Sequence, residues 1–103
     1  MSYLVEFSMT PIGKGESVSR QVARCVQVVA RSRLPYRLGP MGTCFEAPTM
    51  RRAFLVIEAC ERALRKECRR VSMLIKIDAR RGPGGRLESK VASVKRKLKN
   101  CSF

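Results

Sequence analysis

Residues 36–47 read YRLGPMGTCFEA, two short pieces with apolar positions on either side of a Gly-Pro pair and a second glycine. Pro35, just ahead, bars a helix from running into the stretch, because proline lacks the N–H of a helix interior and clashes with the preceding turn. Gly39 and Pro40 supply turn chemistry, so the stretch predicts a hairpin of two extended pieces. The rest of the chain is arranged around it as a helix and then a strand on each side.

Toward the N-terminus, Ser17 is placed to cap a helix in which Val18, Val22, Cys25, Val26 and Val29 form one apolar stripe, with Arg20, Arg24, Gln27 and Arg31 on other faces. Before it, PIGKGES reads as a turn; it lacks the spacing of a phosphate-binding loop. Toward the C-terminus, Thr49 follows Pro48 and caps a second helix carrying Met50, Ala53, Phe54, Ile57, Leu64 and Cys68 at helical spacing, ending about Glu67. Both outermost segments alternate like half-buried strands. Tyr3, Val5, Phe7 and Met9 face one way and Leu4, Glu6, Ser8 and Thr10 the other; Val71, Met73, Ile75 and Ile77 oppose Ser72, Leu74, Lys76 and Asp78. After a loop, RRGPGGR, the residues Leu87, Val91, Val94 and Leu98 mark a last amphipathic helix ending near Lys99.

The order strand, helix, strand, strand, helix, strand, folded with right-handed crossovers, predicts an α+β ferredoxin-like βαββαβ sandwich with a four-stranded antiparallel sheet and an additional C-terminal helix. The two main helices cover one sheet face. The first and last strands are neighbours in this topology, so Leu4, Glu6, Ser8 and Thr10 come to lie beside Ser72, Leu74, Lys76 and Asp78 on the uncovered face. A central strand rarely carries charge at buried positions. Glu6, Lys76 and Asp78 therefore read either as a binding site or as an ion pair facing solvent or an interface.

At 103 residues and 11.6 kDa, with 45% hydrophobic and 29% charged residues, the chain is expected to form one domain over residues 1–103. Apolar runs such as CVQVVA are too short for a membrane span, and MSYLVEFSM lacks the basic start of a signal peptide. A cytoplasmic protein is the expectation. The five cysteines, Cys25, Cys44, Cys60, Cys68 and Cys101, are widely spaced with no Cys-x-x-Cys pair, which argues against a disulfide framework. With no histidine in the chain, neither a metal site nor a cofactor is indicated, and the commonest general base is missing. A non-enzymatic role is expected.

The net charge is +14, and residues 80–103 hold eight Lys/Arg against one acid. Such a field concentrates polyanions, so a basic nucleic-acid-associated or scaffold protein is one functional reading. Yet the open face of the first strand offers Leu4, Glu6, Ser8 and Thr10 where an RNA-reading sheet displays stacking aromatics. Any nucleic-acid binding is expected to be non-specific.

Three stretches in register, VEFSMTPIGKGESVS, YRLGPMGTCFEA and IKIDARR, resemble the small thiamine-binding protein family across nearly the whole chain. The resemblance implies a ferredoxin-like fold, homodimers or homotetramers built sheet to sheet, and binding of thiamine or its hydroxymethylpyrimidine part without catalysis. It puts Thr43 and Glu46 on the family's pattern. An aminopyrimidine needs a carboxylate acceptor, a donor and an apolar wall. At the rim of the open face, at a subunit boundary, Glu6 or Glu46 is the expected acceptor, Lys76, Thr43 and Ser8 the donors, and Leu4, Leu74 and Phe45 the wall, with Asp78 nearby. Ser17 and Ser19, at a helix start, are within reach of an anionic extension. Strand parity forbids Thr43 and Glu46 from pointing to one face of a regular strand.

Overall fold

The computed structural model describes residues 1–98. Its elements in chain order are β1 (Ser2–Pro11), α1 (Ser19–Arg31), β2 (Tyr36–Leu38), β3 (Thr43–Ala47), α2 (Met50–Arg65), β4 (Val71–Arg80) and α3 (Arg86–Lys97). The strands form one antiparallel sheet in the order β2-β3-β1-β4. This is the ferredoxin-like topology. The β1–β4 register pairs Leu4 with Asp78, Glu6 with Lys76, Ser8 with Leu74 and Thr10 with Ser72, which puts the two alternating sets on one face as expected.

The core lies between the sheet and the α1–α2 layer. Val5, Phe7, Met9 and Phe45 point into it from the strands, Cys25 and Val29 from α1, and Ala53, Val56, Ile57, Cys60 and Leu64 from α2. Phe7 meets Phe45 edge to face, with ring centroids 5.8 Å apart, an arrangement that suits the ring quadrupoles. Phe45 is fully buried; truncating such a residue to alanine costs about 3–5 kcal/mol.

Helix signals held in part. Thr49 caps α2, its hydroxyl accepting from the Arg52 N–H at 3.1 Å. Ser17 does not cap α1. The N-cap is Val18, with no side-chain bond, and Ser17 Oγ lies 3.4 Å from Ser19 Oγ instead. On α2, Phe54 and Met50 are exposed, and Val56 and Cys60 occupy the core. Phe54 follows Ala53, the stripe's centre, by one residue, which on a helix of 3.6 residues per turn swings it roughly 100° away. The helix also stops at Arg65, before Glu67. For α3, the residues from Lys99 on, including Cys101, lie outside the described residues.

The sheet face away from α1 and α2 is not wholly open. One end is covered by the start of α3, anchored by residues 39 and more positions distant in sequence. Glu46 Oε1 accepts the N–H groups of Gly85 and Arg86 at 3.0 and 3.1 Å, so a strand carboxylate caps the helix where its dipole favours negative charge. Gly85, with φ of 79°, turns the chain into the helix in a conformation glycine adopts without strain. Among the described helices, none is long and apolar enough to cross a membrane.

Candidate functional site

The eight polar residues picked out by the sequence fall into four places. Glu46 and Asp78 belong to the anchor of α3. Arg86, 3% exposed, lies over the sheet end: its Nε donates to Ser2 Oγ at 2.7 Å, Nη1 to Asp78 Oδ2 at 2.9 Å, and Nη2 to the carbonyls of Ser2 and Asp78. Lys90 reaches the same Asp78 oxygen at 2.9 Å. The Lys90 hydrogen bond, followed by that of Arg86, holds the Asp78 carboxyl below its ordinary value against partial desolvation. These groups already have protein partners. Glu46 is 5% exposed, and its second oxygen, Oε2, has no hydrogen-bond partner among the described residues.

Glu6 and Lys76 stand opposite each other at the middle of the uncovered face, both exposed. Glu6 Oε2 accepts from Cys44 Sγ at 3.8 Å. Burial first, then the Glu6 carboxylate, pushes the Cys44 thiol up, with Arg37 opposing. Leu74 beside them is 74% exposed. Phe45 cannot wall a pocket here, because it pairs with Val5 and shares its orientation toward the core.

Thr43 lies on the other side. It pairs with Phe7, so it faces the helix layer while Cys44 and Glu46 face away. Parity separates Thr43 from Glu46, as the strand geometry demands. Thr43 lines a crevice of about 210 Å³ between the hairpin tip, β1 and the first turns of α1, and Ser8 borders it from a β1 position that alternates with the inward-facing Phe7 and Met9. Its walls are Phe7, Met9, Val18, Val22 and Cys25, and its lip is formed by Gly39, Pro40, Met41 and Gly42. Ser17 and Ser19 are exposed just ahead of and within the start of α1, outside the lining.

Two features of the backbone make this crevice. The Gly39 N–H donates to the Gly42 carbonyl at 2.9 Å and closes the tip. A Cβ on Gly42 would come within 3.2 Å of the Phe7 carbonyl oxygen and 3.4 Å of Glu6 Cγ, so a side chain there would press the tip away from β1. The β1–β3 ladder then ends at Phe7–Thr43, whereas β1–β4 continues to Pro11–Val71. Beyond Phe7 the main chain of β1 therefore has no β3 partner on the crevice side. Antiparallel strands aim alternate N–H and C=O groups sideways, which leaves both a donor and an acceptor edge inside an apolar recess.

Sequence reasoning missed Arg86, the network it organises, and the crevice-forming end of the ladder. A signal for Arg86 exists: a cation in the first turn of a helix opposes the dipole and calls for compensating partners.

A protein of this shape has close parallels. The chain matches the family described as "Thiamine-binding protein" over residues 5–95. It is 39% identical over 98 residues to a UPF0045 protein of Mycobacterium bovis, covering 95% of this chain and 96% of that one. A hypothetical protein of Methanocaldococcus jannascii superposes with a TM-score of 0.83 at 26% identity, over 91% of this chain and 96% of its own. A candidate thiamine biosynthesis/salvage protein of Thermotoga maritima shares the fold, with a TM-score of 0.79 at 18% identity over 91% and 99% of the two chains. The family match over residues 5–95, with the ladder and hairpin that carry the Pro-Met-Gly-Thr stretch, establishes that the chain belongs to the thiamine-binding protein family.

Proposed function

We propose that the protein binds thiamine, or its hydroxymethylpyrimidine part, without transforming it, and that the pyrimidine ring enters the crevice between the hairpin tip and α1. The observation that carries this reading is an apolar recess of about 210 Å³ with an unpaired strand edge inside it. Pockets for drug-sized ligands begin near ~300 Å³, so the recess suits one flat ring. An aminopyrimidine presents an amine donor beside a ring-nitrogen acceptor, the complement of a strand's C=O and N–H. Thr43 adds a hydroxyl, and Val18 and Val22 supply the apolar surface against the ring.

The second ring of thiamine then lies at the lip. Glu6, its side chain packed along Gly42, offsets the positive charge of that ring. Ser8 borders the recess, and Ser17 and Ser19 at the uncapped start of α1 serve an anionic extension. In this reading Lys76 shapes the uncovered face, and Glu46 and Asp78 act through the placement of α3. The absence of histidine favours binding over catalysis. Self-association through the uncovered face, as a homodimer or homotetramer, belongs to the same proposal and is supported by the exposed Leu74 beside Ser8.

Calorimetric titration with hydroxymethylpyrimidine and with thiamine tests the reading. Heat of binding for both, lost in Thr43→Val, is the expected result; no binding of either compound to folded protein would refute it.

A further inference from the structure

The crevice has chemistry that ligand binding leaves unused. Cys25, on the inward stripe of α1, forms part of its wall. Behind it, on the facing stripe of α2, lies Cys60, whose Sγ sits 3.6 Å from the Cys25 carbonyl oxygen. The two thiols are 4% and 0% exposed, and of the pair only Cys25 borders the crevice.

We propose that Cys25 is a peroxide-reactive thiol reached through the crevice and that Cys60 resolves the product into a disulfide joining α1 to α2. The Cys60 thiol donates to the Cys25 main-chain carbonyl at 3.6 Å, which brings Cys60 against Cys25 where α1 meets α2. Of the two, only Cys25 borders the crevice, so it meets the peroxide first, and Cys60, lying behind it, is the resolving thiol. The Cys44 thiol, although less buried, is pushed up by burial and by the Glu6 carboxylate and lies on the other sheet face, outside the crevice.

The step balances. The Cys25 thiolate attacks one peroxide oxygen, the O–O bond breaks, and the departing hydroxide takes up the proton Cys25 released, leaving a sulfenic acid and water. Cys60 then attacks the Cys25 sulfur, an S–S bond replaces the S–O bond, and the hydroxyl leaves with the Cys60 proton as a second water. Two thiols are oxidised by two electrons, and the peroxide is reduced.

The test uses the full chain carrying Cys101→Ser, treated with hydrogen peroxide and mapped by peptide mass spectrometry. Linked Cys25 and Cys60 peptides are expected, and in Cys60→Ser a sulfenic acid at Cys25 trapped by dimedone. Filling the crevice with Val22→Phe, or with Val18→Phe if that variant does not fold, is expected to slow linkage about tenfold by shielding the thiolate. Oxidation of Cys44 while Cys25 stays a free thiol overturns the proposal. So does linkage at an unchanged rate in a folded, filled-crevice variant. Because no ligand is used, either result is independent of whether thiamine binds.

Discussion

Arg86 donates to four acceptors on two strands from a position closed to water. Hydrogen bonds to charged groups each contribute more than neutral ones, and a lost one leaves its partner unsatisfied. Arg86→Ala is expected to cost about 2–3 kcal/mol, seen as a lower denaturation midpoint. Arg86→Lys is expected to recover little, since an ammonium cannot reproduce the fork that spans Ser2 and Asp78. A lysine variant with the wild-type midpoint would show the network to be dispensable. At the crevice, Glu6→Gln is expected to weaken thiamine more than free hydroxymethylpyrimidine, because only the former brings a cationic ring to the lip. Equal losses for the two compounds, measured by calorimetry, would place Glu6 against the pyrimidine itself.

Among the elements, α3 depends on carboxylates for its position, and this gives it a pH dependence of definite sign. Asp78 titrates below its ordinary value in the folded chain because Lys90 and then Arg86 favour the charged form. A depressed carboxyl contributes stability that is present above its unfolded value, near pH 4, and is lost as the pH falls through the lower folded value. Amide exchange in α3 is expected to quicken as the pH drops below about 4, ahead of the α1–α2 layer, once intrinsic exchange rates are corrected for. Uniform behaviour of all three helices would argue against a separately held α3. The same element marks the boundary of what the sequence reveals. That Leu4 and Glu6 share a sheet face with Lys76 and Asp78 was legible, because a period of two fixes which residues share a face once β1 and β4 are neighbours. The cap of α2 was legible because Thr49 acts locally. The bonds from Glu46 to Gly85 and Arg86 join residues 39 and 40 positions apart, and no local pattern reports where a loop returns. The pairing of Cys25 with Cys60 was hidden for the same reason. The crevice was out of reach too, since it arises where one ladder ends before its neighbour.

For the whole molecule, a charge of +14 acts on every ligand. Cationic thiamine approaches a field of its own sign, whereas RNA is attracted. Salt screens both effects. Thiamine affinity is therefore expected to rise modestly with ionic strength and that for mixed RNA to fall steeply, with no sequence preference, because the uncovered faces of β1, β3 and β4 carry no aromatic side chain. A preferred RNA sequence retained at high salt would contradict this. Sedimentation is expected to find a dimer or tetramer at micromolar concentration, and Leu74→Glu to shift it toward the 11.6 kDa chain; a wild-type monomer would remove self-association from the proposal.

The central claim concerns where the pyrimidine sits, and an NMR titration of the labelled protein with hydroxymethylpyrimidine reads that position directly. The account predicts saturable shifts at Ser8, Met9, Val18, Val22 and Thr43, with Leu4, Leu74 and Lys76 unmoved. Shifts confined to Leu4, Leu74 and Lys76, or none at saturating compound, would contradict it.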